Sequence, residues 1–352
     1  MRCSSLGSCL TLAAVAMLAA CGGGDDAHIA SSGTGTDGGG AGVSSGPAGG
    51  GAGLSSGPAG LTQLSDFPTL GFDYRFTTNS DGSNPQGPTS PDATDTISFS
   101  YRASDESYEI AIPGLSPGRL VQLAGNAYGT SHALSPSPTA TFEVMLFRPG
   151  ATNPALPLNY TSFGEWEDPI YTPLPSALRS NNVGNFAYGV PSEPSEVPVA
   201  GTVSYSGLVT GRTSASLGVW YVFGTASLTF DFSSGALSGD LDLGVNPGGP
   251  GHTHFGDFPF AAANYIVGGT RFSGHFRMPD GSVDGFFEGQ FTGPQASELM
   301  VRWLLPQAEA QGSLFGISVG TRKANRCFEC FGLLAPRDFM PSATTHHAGR
   351  TP

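Results

Sequence analysis

From Phe72 to Val319 the chain is divided into short segments in which apolar and polar residues alternate. Alternation with a period of two places the apolar side chains on one face of a β-strand, whereas an amphipathic helix would space them three or four positions apart. Gly, Pro, Asn and Asp residues separate these segments. Many short strands at this spacing predict an all-β sandwich or barrel.

The composition favours the same fold class and argues against several functions. The 352 residues include 52 Gly and 28 Pro. In a helix interior a Gly costs about 1 kcal/mol and a Pro about 3 kcal/mol relative to Ala, which disfavours a largely helical enzyme. A net charge of −13 repels phosphate, so no nucleic-acid partner is expected. A Walker A loop needs a Gly-Lys pair, and the single lysine, Lys323, follows Arg322.

The first 60 residues predict a lipid anchor and a tether. Residues 1–20 carry one positive charge, Arg2, and then an apolar run too short to span a bilayer, which indicates a signal peptide. The segment ends in Leu18-Ala-Ala-Cys21, which resembles the lipobox of bacterial lipoproteins. We therefore expect cleavage before Cys21 and acylation of its sulfur; an ordinary secretory signal is the alternative. Residues 21–60 are Gly-rich and predict a disordered tether with a reach of about 35 Å.

Residues 61–155 predict a small β-rich domain, residues 156–323 a soluble antiparallel barrel of eight or nine strands, and residues 324–352 a tail. In the barrel region large and small residues mix on one face, as a tapering interior requires, and short connections favour up-and-down order. We expect aromatic side chains to fill the interior and polar side chains to face water. The expected barrel strands are Leu158–Trp166, Val203–Val209, Trp220–Phe232, Leu237–Leu243, Phe260–Val267, Phe272–Phe276, Gly285–Phe291, Leu299–Leu305 and Phe315–Val319.

Three motifs in this order resemble the transferrin-binding-protein-B-like β-barrel family. Phe287-Glu-Gly-Gln-Phe-Thr-Gly-Pro-Gln-Ala-Ser-Glu298, with Gly312–Gly316 and Arg322-Lys323, is similar to the closing signature of that family. Residues 232–243 are similar to an earlier hairpin, and Leu158–Trp166 is similar to the strand that opens the barrel. The resemblance covers about residues 157–323. Residues 95–155 are similar to the preceding region of single-lobe members, called a handle.

The resemblance implies a lipoprotein anchored in the outer membrane, on its surface or periplasmic face, that binds a partner through handle and barrel loops. It implies a role in iron, haem or host-protein acquisition, with a TonB-dependent transporter as a further partner. The sequence differs from the pattern of this family in two respects. The chain has room for one lobe, whereas transferrin receptors have two, and Leu299-Met-Val301 stands where the family often has Gly. The alternative is a periplasmic carrier of a solute or metal. We expect a monomer without a cofactor.

Two motifs that could carry catalysis have simpler explanations. Gly114-Leu-Ser-Pro-Gly118 fits the GxSxG pattern, but Pro117 lacks the backbone N–H that an oxyanion hole needs after the serine. Glu165, Glu167 and Asp168 could form a carboxylate pair for glycoside hydrolysis. We expect Glu165 and Glu167 to share a solvated outward face and to provide solubility. The sequence therefore predicts no catalytic residue and no enzyme.

Two further clusters could bind a metal or form a disulfide. His252, His254 and Asp257 lie in a Gly-rich loop, and histidines two positions apart could hold a divalent metal, although a third firm ligand is not evident. Cys327 and Cys330 are the cysteines that remain after signal removal and acylation of Cys21. In an oxidising envelope this pair could close a small disulfide.

Three loops are the expected binding surfaces, because loops on a rigid scaffold commonly carry function. They are Asn79–Pro91, Tyr171–Val199 and Asn246–Asp257. The first two contain many Pro residues, which would limit the entropy lost on binding.

Overall fold

The computed structural model describes residues 61, 66–79, 81–94, 97–102, 104–105, 107–113, 115, 117–135, 142–150, 152–170, 178–247, 253–307 and 311–323, without the side chains of residues 169 and 170. Its strands form two sheets, one open with nine strands and one closed with eight. No helix among these residues has the length and apolar character needed to cross a membrane.

The open sheet is built from the first nine strands of the chain. These are β1 (Thr69–Asn79), β2 (Asp92–Thr94), β3 (Ser98–Arg102), β4 (Ser107–Ala111), β5 (Gly118–Gly125), β6 (Gly129–Ser135), β7 (Glu143–Phe147), β8 (Thr161–Ile170) and β9 (Leu178–Gly189). Their order is β2-β1-β9-β8-β7-β6-β5-β4-β3, and all neighbours are antiparallel. We call this unit the handle sheet.

The closed sheet is an up-and-down barrel of eight antiparallel strands, which confirms the predicted class and fixes the strand number. Each strand pairs with the next along the chain, and the last pairs with the first. The strands are β10 (Thr202–Thr213), β11 (Tyr221–Asp231), β12 (Ala236–Asn246), β13 (Thr253–Tyr265), β14 (Arg271–Arg277), β15 (Val283–Thr292), β16 (Glu298–Gln307) and β17 (Gly312–Arg322).

The assignment of Leu158–Trp166 to the barrel was wrong. The strand that contains it, β8, pairs with β7 and β9 inside the handle sheet. The barrel begins at Thr202, well after residue 156. Alternation identifies a strand and its two faces but not the sheet to which the strand belongs, so the sequence pattern placed β8 in the neighbouring unit.

Aromatic side chains fill the barrel interior, as expected. Phe230, Phe272, Phe287, Phe291 and Trp303 are each at most 3% exposed and belong to one continuous core. Burial of such side chains stabilises each by roughly 1.5–3 kcal/mol relative to exposure. The interior is therefore a packed core.

Glycines make room for these rings on neighbouring strands. Phe272 of β14 lies opposite Gly289 of β15, and Gly274 lies opposite Phe287. A Cβ on Gly289 would lie 2.2 Å from the Phe272 ring, and one on Gly274 would lie 2.4 Å from the Phe287 ring. Such contacts are far inside the van der Waals distance of about 3.5–4 Å between carbons. The mixture of large and small residues therefore reflects rings lying directly over glycines.

The outer wall of the barrel is apolar where the handle sheet covers it, which corrects the expectation of a wholly polar exterior. Phe315, Ile317 and Val319 of β17 and Met300 of β16 are fully buried. They pack against apolar residues of the handle sheet and of the segment before β8: Leu70, Phe72, Tyr74, Leu156, Leu158, Val183 and Ala187. We call this contact the seam.

The other face of the handle sheet encloses a core of its own. Phe99, Ile110, Trp166, Phe186 and Tyr188 are buried in it. The Phe99 and Tyr188 rings lie 4.2 Å apart between centroids. The handle sheet is thus apolar on both faces, one towards its own core and one towards the barrel.

We predict that Phe291→Ala lowers the free energy of unfolding by about 3–5 kcal/mol, because it opens a cavity in the middle of the barrel core. The Phe291 ring lies 4.9–6.2 Å, between centroids, from five other rings: Tyr205, Phe230, Phe232, Tyr265 and Phe272. Urea unfolding followed by tryptophan fluorescence measures the change.

The control for this prediction is Ile266→Ala, at a side chain that is 83% exposed in a barrel turn. It should change the free energy of unfolding by less than about 0.5 kcal/mol. Equal effects of the two substitutions would contradict the packed interior.

Candidate functional site

A buried ion-pair network crosses the seam between the handle sheet and the barrel. Glu165 and Glu167 of β8 share one face and meet Arg212 of β10. The Arg212 guanidinium donates to Glu167 Oε1, and its Nη2 lies 3.7 Å from Glu165 Oε2. Thr210 donates its hydroxyl to Glu165. The expectation that these carboxylates face solvent was wrong for Glu165, because the barrel wall covers its side of β8, and Glu167 keeps only part of its side chain exposed.

Burial and charge act in opposite directions within this network. The side chains of Arg212 and Glu165 are 6% and 10% exposed, and that of Glu167 is 40% exposed. Burial raises the pKa of Glu165, while Arg212 holds the pKa of Glu167 below its usual range. Burial opposes the charge of Arg212, but Tyr221, Glu167 and Glu165 outweigh it and raise the Arg212 pKa.

Tyr221 completes the network from β11. The Arg212 Cζ lies 3.5 Å from the centroid of the Tyr221 ring, a cation–π contact. The Tyr221 hydroxyl donates to Glu167 Oε1 at 2.9 Å. Asp168, the third carboxylate considered for catalysis, is 1% exposed and points to the opposite face of β8. The arrangement pairs two carboxylates with one guanidinium, which suits a structural clamp.

A cleft of about 270 Å³ lies beside this network, where the handle sheet meets one end of the barrel. Glu167, Arg179 and Arg212 line one part of it. Pro85 of the 81–91 loop and Val219 of the turn after β10 line another part. The cleft therefore combines charged groups from strands β8, β9 and β10 with apolar surface from the loop and the turn.

The predicted loop Asn79–Pro91 lies at the same barrel end and is held in place by hydrogen bonds. Gln86 and Thr77 exchange two backbone hydrogen bonds of 2.7 and 2.8 Å. The Tyr74 hydroxyl donates to Pro88 O at 2.8 Å and accepts from the Ala215 amide at 2.6 Å. Ser313 donates to Thr89 O at 2.7 Å. We call this end of the barrel, with residues 81–90 and 214–220, the loop end.

The other two predicted loops are in large part strands. Leu178–Gly189, within the segment Tyr171–Val199, is β9 and pairs with both β1 and β8. Thr253–Asp257, within Asn246–Asp257, is the start of β13. The Pro residues of the first segment and the Gly residues of the second favoured loops, but β9 lies inside the handle sheet between β1 and β8.

His254 and Asp257 lie together on the barrel surface, and the structure adds Asp242 of the neighbouring strand. Ligand atoms of the three side chains lie within 4.8 Å of one another. Asp242, which lies directly opposite Asp257 in the β12–β13 pairing, was not predicted from the sequence. Counting residues outwards from the hairpin connection would have found it.

His252, Cys21, Cys327 and Cys330 lie outside the described residues, as do Gly114 and Ser116 of the GxSxG pattern.

Glu298, the last residue of the closing signature, has a structural role. It is 2% exposed and accepts the backbone N–H groups of Asn159 and Tyr160 at 2.6 and 3.0 Å. Burial raises its pKa. The signature glutamate therefore ties the segment before β8 to the barrel.

We predict that Arg212→Met lowers the free energy of unfolding by about 3 kcal/mol, because removal of one partner of a buried ion pair leaves the other charge uncompensated. The triple variant Arg212→Met, Glu165→Gln, Glu167→Gln should recover most of the loss, since no buried charge remains. Urea unfolding of each variant measures these differences.

Arg102→Met is the matched control, because the Arg102 side chain is 49% exposed and pairs with Glu109 at the surface. It should change stability by less than about 1 kcal/mol. An effect of Arg212→Met as small as that of Arg102→Met would show that the network does not stabilise the seam.

No protein-family model matches the sequence, and no curated protein matches it. Among solved structures, a mutant transferrin binding protein B of Haemophilus parasuis Hp5 is similar, with 16% identity and a TM-score of 0.41 over 72% of this chain and 45% of that chain. A double mutant of the same protein has 16% identity and a TM-score of 0.39 over 71% and 44%.

The isotype 1 transferrin binding protein B of serogroup B Neisseria meningitidis is also similar, with 12% identity and a TM-score of 0.35 over 72% of this chain and 44% of that chain. The chain thus spans less than half the length of the chains in these three structures. The resemblance expected from the sequence motifs is confirmed: the chain is similar in structure to members of the transferrin binding protein B family.

Proposed function

We propose that this chain is an outer-membrane lipoprotein, anchored through Cys21, that binds a protein partner at the loop end of its barrel. The observation that carries the proposal is the 81–91 loop. Its residues 86–90 are exposed, yet hydrogen bonds from Thr77, Tyr74 and Ser313 fix their backbone. A surface loop that is already ordered loses little conformational entropy when a partner binds.

The scaffold beneath the loop supports the same proposal. The seam and the Arg212 network join the handle sheet to the barrel, and the Tyr74 hydroxyl connects the loop to the barrel turn at Ala215. Loop, turn and cleft therefore form one surface contributed by both units. A binding surface held on strands keeps its geometry better than one on unsupported loops.

The anchor and tether support an extended presentation of this surface. Acylation at Cys21 would hold the chain at a membrane, since each buried CH₂ contributes about 0.8 kcal/mol. The tether of residues 21–60 would allow a reach of about 35 Å. The proposal includes no catalytic role, because Glu165 and Glu167 are engaged in the Arg212 network and Asp168 lies on the opposite face of β8.

The proposed class of partner is based on the resemblance to transferrin binding protein B. The similar solved structures are named as transferrin binding proteins. For this chain we propose a partner that carries iron or haem, with delivery to a TonB-dependent transporter. A carrier that holds a solute in the barrel lumen is disfavoured, because aromatic side chains occupy the interior.

We predict that the full mature chain, immobilised on a sensor surface, binds at least one of four probes: iron-loaded transferrin, iron-free transferrin, haemoglobin or haem. Ser90→Trp places a large ring on the exposed part of the loop and should weaken that binding at least tenfold. Val267→Trp is the matched control, because Val267 is 50% exposed in a turn at the opposite end of the barrel. Binding of none of the probes, or equal loss in both variants, would contradict the proposal.

We predict that Cys21→Ser moves the chain from the membrane fraction to the soluble fraction, because the acylated sulfur is lost. Cys3→Ser, inside the signal segment, should leave the chain in the membrane fraction. Protease treatment of intact cells then locates the barrel. Release from intact cells supports capture of an external protein, whereas protection until the outer membrane is broken would overturn it and favour a periplasmic carrier.

A further inference from the structure

Three side chains on the outer wall of the barrel converge on one point. His254 Nε2 lies 3.2 Å from Asp242 Oδ1 and 3.4 Å from Asp257 Oδ1. The donor atoms of all three residues lie within 4.8 Å of one another. One imidazole nitrogen and two carboxylate oxygens therefore face a common centre.

A β-bulge creates this convergence. Asp242 pairs with Asp257 and Gly244 pairs with His254, so β13 has one more residue than β12 between these pairs. In a regular strand, residues 254 and 257 would point to opposite faces, because they are separated by an odd number of positions. The bulge restores them to the same face, and Gly256 takes a φ of +154° within it. Bulges are frequent where a strand re-aims a side chain.

The distances around His254 fit a bound ion as well as they fit long hydrogen bonds. Most N–H···O bonds have donor–acceptor distances near 2.9–3.0 Å. A tetrahedral Zn²⁺ with bonds of about 2.0–2.1 Å holds its ligand atoms about 3.3–3.4 Å apart. The separations of 3.2 and 3.4 Å around His254 Nε2 are close to this value.

The surrounding charge also favours a cation. Asp240 lies two residues before Asp242 on the same outward face of β12. The carboxylates of Asp240, Asp242 and Asp257 lie on one small surface beside His254, and their negative charge attracts a divalent cation.

We propose that Asp242, His254 and Asp257 form a binding site for a divalent first-row transition ion of the Zn²⁺ type. An imidazole suits zinc and its neighbours, whereas Mg²⁺ and Ca²⁺ prefer oxygen donors alone. The site lies on β12 and β13, while the handle sheet covers β10, β16 and β17. The side chains are 45–62% exposed, which leaves a fourth coordination position open to water or to a donor from a partner.

The test uses Zn²⁺ alone with the full mature chain, in a background of Cys327→Ser and Cys330→Ser that removes thiolate ligands. Isothermal titration should find one site that is lost, or weakened at least tenfold, in each of Asp242→Asn, His254→Gln and Asp257→Asn. His275→Gln is the matched control on β14, where the His275 Nδ1 already lies 2.6 Å from Gly285 O, and it should retain the site. Circular dichroism confirms that each variant is folded.

Co²⁺ gives a second, independent readout. Replacement of Zn²⁺ by Co²⁺ should produce visible absorption bands in the background chain and in His275→Gln, and these bands should disappear in His254→Gln. Equal Zn²⁺ affinity and stoichiometry in the background chain and the three site variants would overturn the proposal. That result would identify the cluster as an imidazole in polar contact with two carboxylates, without a metal site.

Discussion

The seam is the constraint on which the rest of the architecture depends. Residues Gly312–Gly320 of β17 are all buried, because one face of this strand lies in the barrel core and the other lies under the handle sheet. Without that cover Phe315, Ile317 and Val319 would form an exposed apolar patch, which monomeric proteins rarely tolerate. The handle sheet needs the same contact for Leu70 and Phe72. Each sheet would expose apolar side chains to water without the other, so the two sheets stabilise each other.

The Arg212 network adds specificity to this apolar contact. Apolar side chains pack in many relative positions, whereas Arg212 meets both Glu165 and Glu167 in one register only. Buried polar groups that must find their partners restrict the number of acceptable arrangements. The network borders the cleft at the loop end. The position of the 81–91 loop relative to the barrel therefore depends on the same few contacts that fix the two units together.

The sequence predicted the barrel strands and their inward faces well, because a period of two is a direct consequence of strand geometry. Leu299, Val301 and Trp303 line the interior as expected. The outward apolar wall was missed, although Leu299-Met-Val301, noted as a departure from the resembled family, carried the signal. A continuous apolar run in a strand indicates burial on both faces. Alternation also could not show which sheet β8 joins, since that depends on long-range pairing.

Both candidate sites depend on contacts between strands that spacing along the chain does not reveal. His252 and His254 were predicted as metal ligands because they are two positions apart in the sequence. The structure instead places Asp242, on the neighbouring strand, and Asp257, which a bulge turns to the same face, beside His254. Glu165 and Glu167 have a polar spacing typical of a solvated face, and only the barrel wall buries Glu165 and covers part of Glu167. In an all-β chain the pairing register, more than the motif, decides which polar residues act together.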